Sequence, residues 1–192
     1  MADKKAILVI CGQADINGGQ AMEKFNKKAV SFPNFEGAGL AGMAAAIEGA
    51  AKVAPEGVAK VFEDDGAFAV VELGDVDGAA LDAAMAVLSE AADRRTLIAL
   101  ACDGGLYLSG MGMDKKAGSL DRGATASDVI ATLCYVSDLP VPADCMGAVL
   151  YQALKDPNMK MKEVTKLKEA IGRMEVALQR DTREPWDKHD CA

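Results

Sequence analysis

Three groups of side chains have types and spacings suited to chemistry. Gly37-Ala-Gly39-Leu-Ala-Gly42 matches G-x-G-x-x-G, and Glu63 follows about twenty residues on, the spacing of a dinucleotide-binding fingerprint. There the glycines let backbone amides and a helix N-terminus meet a pyrophosphate. The mechanism needs a strand running straight into the first glycine. Here Pro33 and Asn34 precede it, which argues against a central strand, and Glu36 beside the loop would repel an anion. The second group is Asp75, Asp77 and Asp103, each placed where an apolar run ends, and strand ends are where α/β proteins put ligands. Exposed turns also favour Asp, so turn chemistry competes with metal binding. The third group is Cys11 and Cys102, which close two apolar runs and would serve as a redox pair or, the preferred reading, as two small buried hydrophobes. Met111-Gly-Met113 offers soft sulfur ligands but more simply packs a loop, and His189 with Cys191 would chelate weakly in a solvated tail. Ser127 and Asp144 are expected to be helix caps.

The elements that must position these groups follow from hydrophobic periodicity. Ala6–Cys11, Ala67–Leu73 and Thr96–Cys102 are continuous apolar runs, as expected of strands buried on both faces. Helices are expected over 20–30, with Met22, Phe25 and Ala29 on one face, over 40–53, with Leu40, Met43, Ile47 and Ala51, and over 77–93, with Leu81, Ala84, Met85 and Leu88. Residues 106–116 suggest a hairpin or ordered loop. Ser127-Asp128 should cap a helix carrying Ile130, Leu133 and Cys134, and Asp144 should cap another running to Leu154. Strand and helix alternate, so the fold class is α/β: a mostly parallel sheet with helices on both faces, over residues 1–155. Residues 156–192 form a C-terminal amphipathic helix and polar tail. Val164, Leu167, Ile171, Met174 and Leu178 are spaced 3, 4, 3 and 4, an apolar seam of little more than two heptads. That seam packs on the domain's own surface or pairs copies in a homo-oligomer.

Composition narrows the function classes. The chain has 192 residues, 51% hydrophobic and only 5% aromatic, so aliphatic side chains must fill the core. Net charge is −8, and residues 156–192 carry eight basic and eight acidic side chains, which leaves all of the excess on residues 1–155. An acidic body disfavours nucleic acid as a partner. No apolar run reaches the roughly 20 residues of a membrane helix, and none near Met1 suits a signal peptide, so a cytoplasmic location with reduced cysteines is expected.

Residues 67–154 resemble the metal-binding core of the alkaline phosphatase superfamily, which includes sulfatases, phosphopentomutases and cofactor-independent phosphoglycerate mutases. Three segments carry the resemblance: Gly74-Asp75-Val76-Asp77-Gly78 leading into a helix, Cys102-Asp103-Gly104-Gly105 at a strand end, and Ala126–Leu133 followed by Asp138-Leu-Pro-Val-Pro-Ala-Asp144 and Gly147. The resemblance implies two divalent cations held by Asp and His at the strand ends, activating a Ser or Thr nucleophile. Cys11 stands where the family's opening strand has Asp, Ala79 and Ala80 where a His would follow Asp77, and Gly104 where a His would follow Asp103. Asp75, Asp77 and Asp103 are thus vestigial metal candidates. They imply no cofactor, or one weakly held Mg²⁺, Mn²⁺ or Ca²⁺. The expected function is that of a non-catalytic, metal-site-deficient relative acting through binding or assembly. The alternatives are a one-metal hydrolase or mutase of phosphate or sulfate esters, and a dinucleotide-binding protein using Gly37, Gly39 and Gly42.

Overall fold

The computed structural model describes residues 4–181. These divide into two compact units, one ending at Lys155 and one beginning at Asp156. The first unit is built on a six-stranded sheet. Its strands are β1 (Lys5–Ala14), β2 (Val30–Phe32), β4 (Ala50–Lys52), β5 (Phe68–Val76), β6 (Thr96–Cys102) and β7 (Gly105–Gly110), in the order β2-β7-β6-β1-β5-β4. Five run parallel. The exception is β7, which folds back on β6 as a hairpin and pairs antiparallel with both neighbours. The sheet is therefore mostly parallel, as the alternating pattern predicts. A separate two-stranded sheet joins β3 (Phe35–Glu36) to β8 (Ala124–Thr125).

Alternation along β1 sends Ala6 and Leu8 to one face and Ile7 and Val9 to the other, so the unit has two cores. On the first face α2 (Leu40–Ala45) and α5 (Ala126–Ser137) cover Phe68, Val70, Leu97 and Leu106. On the second, α1 (Gln20–Asn26), α3 (Val58–Glu63) and α4 (Gly78–Ala91) bring Met22, Phe25, Phe62, Leu81 and Met85 onto Ile7, Val9 and Leu100. All seven residues of β6 are buried, which is why that strand reads as an unbroken apolar run.

Four local expectations are corrected. The helix expected over 40–53 stops at Ala45. Gly49 then takes a left-handed φ of 78°, and Ala50–Lys52 pairs with the edge of β5 instead. Leu40 and Ile47 are buried as expected, but Ala44 rather than the exposed Met43 completes the inward face, and satisfying the backbone groups of β5 outweighs one more helical turn. Secondly, Asp144 caps no helix. Residues 141–150 run as an irregular strap along α5, followed by a single 3-10 turn over Tyr151–Ala153. The strap's amides bond to α5 side chains: Ala148 N–H donates to the Asp128 carboxylate at 2.7 Å, and Leu150 N–H to the Thr132 hydroxyl at 2.9 Å. Gly147 lies so close to the Ser127 carbonyl that a β-carbon there would collide with it. Thirdly, the cap of α5 is Thr125, two residues before Ser127, with Asp128 completing a reciprocal capping box. The helix expected over 20–30 also ends early, at Asn26, and Val30 opens β2.

In the second unit α6 (Met161–Asp181) carries the heptad seam. No helix among the described residues is long and apolar enough to cross a membrane. His189 and Cys191 lie outside the described residues.

Candidate functional site

The carboxyl ends of β1 and β6 lie side by side at the middle of the sheet. Their register holds to Ile10 opposite Ala101 and then slips, because Asp103 N–H donates to the Gly12 carbonyl at 3.1 Å. Above these ends is a cleft of about 450 Å³ lined by Ile10, Cys11, Ala101, Cys102 and Asp103. Phe35, Gly37, Ala38 and Leu40 close it from the other side. They arrive through β3, which β8 anchors, and through the turn into α2, where Gly39 supplies a left-handed φ of 78°.

Both thiols sit almost wholly inside, Cys11 at 6% and Cys102 at 4% exposure, in the same apolar cluster. Burial pushes the Cys11 thiol up to about 12, and the neighbouring Cys102 adds to the effect. Burial likewise raises Cys102, with Asp103 contributing and the Gly104 amide opposing. The Cys102 sulfur donates to the Gly105 carbonyl at 3.5 Å. Tyr107, at the root of the hairpin, is also raised, by burial first and then by Cys102. Both thiols are thus held neutral in the cluster of the second face, while Phe35 and Leu40, on the cleft's far side, pack in the cluster of the first face, and the exposed Asp103 lines the cleft.

The three aspartates singled out from the sequence do not share this setting. Asp103 lines the cleft. Asp75 accepts from Gln13 N–H at 2.9 Å, holding the β1 exit against β5, and Gly12 is there because a β-carbon would strike that carboxylate. Asp77 is the N-cap of α4, accepting from Ala80 N–H at 2.8 Å. Among the described residues, no group of three or more His, Cys, Asp or Glu side chains is placed to hold a metal ion.

The glycine pattern is split in the same way. Gly37 lines the cleft, Gly39 opens α2, and Gly42 lies inside α2 with open space around its α-carbon. Glu63 ends α3 on the opposite face of the sheet from α2. Met113 is buried in the first core and Met111 packs against it.

Sequence reasoning did not find Phe35 and Ala38 as cleft residues, or Asp82 as a structural one. Gly19 precedes α1 and has no side chain to cap it, so Asp82 of α4 accepts from Met22 N–H at 2.8 Å across 60 residues. No local signal marks that role. Asp82 also borders a larger groove of about 640 Å³ between α1 and α4, floored by Ile98 and Ser109. Two of that groove's carboxylates are committed to backbone amides, Asp82 as above and Asp93 to Arg95 N–H at 2.7 Å. The strand-end cleft keeps the Asp103 carboxylate and occupies the position where open α/β sheets bind ligands. No family model, curated protein or solved structure matches this chain.

Proposed function

We propose that the chain is a non-catalytic binding module that takes a small ligand in the cleft above β1 and β6. The observation that carries this reading is the commitment of Asp75 and Asp77 to backbone amides, which leaves Asp103 as the one carboxylate of the three at the cleft. A lone exposed carboxylate flanked by protonated thiols supplies neither the ligand set of a two-cation centre nor an activated nucleophile. The proposal rests on these side chains and not on ancestry. With p-nitrophenyl phosphate or p-nitrophenyl sulfate in Mg²⁺, Mn²⁺ or Zn²⁺, the rate is expected to equal that of buffer, and Asp103→Ala to leave it there. Metal-dependent turnover abolished by Asp103→Ala would overturn the reading in favour of a one-metal hydrolase.

Assembly is the second half of the proposal. Val164 (38%), Leu167 (62%), Ile171 (55%), Met174 (65%) and Leu178 (65%) are exposed along α6. Pairing the seam of one copy antiparallel with that of a second layers Leu167 on Leu178 of the partner subunit, with Ile171 on Met174 of the partner subunit. The same register sets Lys168 beside Glu175 of the partner subunit, an opposite-charge flank. Light scattering on the full chain is expected to give twice the 20.0 kDa chain mass, and Ile171→Glu to return a single chain. A wild-type mass of one chain, or an Ile171→Glu mass unchanged from a dimer, removes α6 from the account.

A further inference from the structure

We propose that Asn17 is a self-modification site. Its side-chain amide is lost to the backbone nitrogen of Gly18 through a cyclic imide, and the isoaspartate that follows works α1 loose from α4. Nothing in the proposal depends on the strand-end cleft.

Three observations single out Asn17. It sits exposed in the turn between β1 and α1, and a glycine follows it. Among the described residues its side-chain amide makes no hydrogen bond, and neither does the Gly18 N–H. The Asn17 N–H donates to the Asp15 carboxylate at 3.0 Å, which shapes the turn without engaging the reacting atoms. None of the other asparagines, Asn26, Asn34 and Asn158, precedes a glycine. Asn26 and Asn34 are also held by their side chains, to the Ile16 carbonyl at 2.8 Å and to Asp121 at 3.0 Å.

These are the conditions for cyclisation. A glycine nitrogen is the least hindered nucleophile of the main chain, since no β-carbon stands beside it. Having lost its proton to water, it attacks the side-chain carbonyl carbon of Asn17. The new C–N bond closes a five-membered ring, the C–NH2 bond breaks, and the nitrogen leaves as ammonia with that proton. Water then opens the ring at one of its two carbonyls. One opening gives aspartate; the other leaves the chain running through the side-chain carbonyl, as isoaspartate. One water is consumed and one ammonia released, with no change of oxidation state.

The surroundings decide what isoaspartate does. It adds one backbone atom between Ile16 and Gly18, and both neighbours are tied down. The Asn26 amide holds the Ile16 carbonyl. Gly18 lies so near Gly78, the first residue of α4, that a β-carbon on it would be 2.7 Å from the Gly78 α-carbon. Gly19 is the N-cap of α1, and its carbonyl accepts from Glu23 N–H at 3.2 Å. A segment fixed on both sides has no slack for the extra atom, so the start of α1 shifts off α4.

The test ages the purified full chain in mildly alkaline buffer, well below its melting temperature, and maps tryptic peptides by mass. The peptide spanning 6–24 holds Asn17 as its one asparagine. It is expected to gain about 1 Da, about tenfold faster than the peptides of Asn26, Asn34 and Asn158. Electron-transfer fragmentation is expected to find isoaspartate at 17. In the isoaspartate fraction, amides of residues 20–26 are expected to exchange with deuterium about tenfold faster than in fresh protein. Asn17→Gln, whose amide would have to close a larger ring, is expected to age without either change. Fresh Asn17→Asp adds the charge but no backbone atom, and is expected to exchange like fresh wild type. Amide loss no faster at Asn17 than at the other three, or isoaspartate with exchange over 20–26 unchanged, overturns the proposal. So does Asn17→Asp exchanging as fast as the aged protein, since charge would then be the cause.

Discussion

At about pH 8, Cys11 in the folded protein is expected to be alkylated by iodoacetamide about a thousand times more slowly than in the urea-unfolded chain, because only the thiolate attacks. Its thiol lies near 12 in the fold against 9.0 for a free cysteine, so the thiolate fraction at that pH falls by about three powers of ten. Burial is the larger cause, and the adjacent Cys102 adds to it. Peptide mass spectrometry of timed quenches gives the rate at each cysteine, and Cys145, half-buried in the strap, is expected to outpace both cleft thiols. The same shift has a thermodynamic consequence. A thiol held protonated by the fold contributes stability that is fully present below about pH 9 and is lost as pH rises toward 12. Cys11→Ala is therefore expected to flatten the alkaline limb of a denaturation series against pH. Equal alkylation rates for folded and unfolded Cys11 would mean that the thiol is not shielded.

What sequence alone reveals divides along a physical line. Strands buried on both faces announce themselves, since every side chain must be apolar; β6 runs from Thr96 to Cys102 within the bounds its composition predicts. The stripe of Leu81, Ala84, Met85 and Leu88 marks α4 as plainly, because one helix face must meet the sheet. Failures come where a backbone group finds its partner far along the chain. Leu40–Val53 has helical periodicity, yet Ala50–Lys52 is drawn to the edge of β5. Residues 141–150 have an Asp and an apolar pattern, yet the amides of Ala148 and Leu150 go to Asp128 and Thr132 rather than into a helical ladder. The candidate site shows the same limit. Cys11 and Cys102 are visible as strand ends, but their adjacency depends on the order β6-β1-β5, in which β5 and β6 straddle β1. Gly37 stands out in a nucleotide-like pattern, but its place opposite the thiols depends on β3 pairing with β8, a strand almost ninety residues on. Turn aspartates look alike until the donors that reach them are known, and Asp75 and Asp77 are set apart from Asp103 only by the amides of Gln13 and Ala80.

Phe68→Ala is expected to destabilise the first unit by about 3–5 kcal/mol, the upper range for a large-to-small core substitution. The reason lies in how an aromatic-poor chain fills its core. Across the sheet, Phe68 is paired on one side with Ala50 of β4 and on the other with Ala6 of β1, and Ala6 in turn faces Leu97, which faces Gly110. Large and small side chains alternate along this row, so the ring spreads over two alanines and is fully buried. Removing it leaves a void bordered by methyl groups too short to move in, and the cost of such a void grows with the volume that stays empty. Phe68→Leu keeps most of the volume and is expected to cost less than about 1.5 kcal/mol. For a unit of this size the alanine variant should lower Tm by roughly 10 °C, measured by calorimetry or circular dichroism. The pair is diagnostic: equal losses for Ala and Leu would mean that ring shape rather than filled volume matters here, and no loss for Ala would mean that the Ala50–Phe68–Ala6 register is not the one the protein adopts. That register also fixes the cleft. Ala6 and Phe68 begin the β1–β5 pairing whose far end holds Gly12 against Asp75, and β1 carries the same strand direction through to Cys11. Loss of the ring is therefore expected to loosen the strand that presents one of the two cleft thiols, and faster alkylation of Cys11 in Phe68→Ala than in Phe68→Leu, below both melting temperatures, would register that coupling directly.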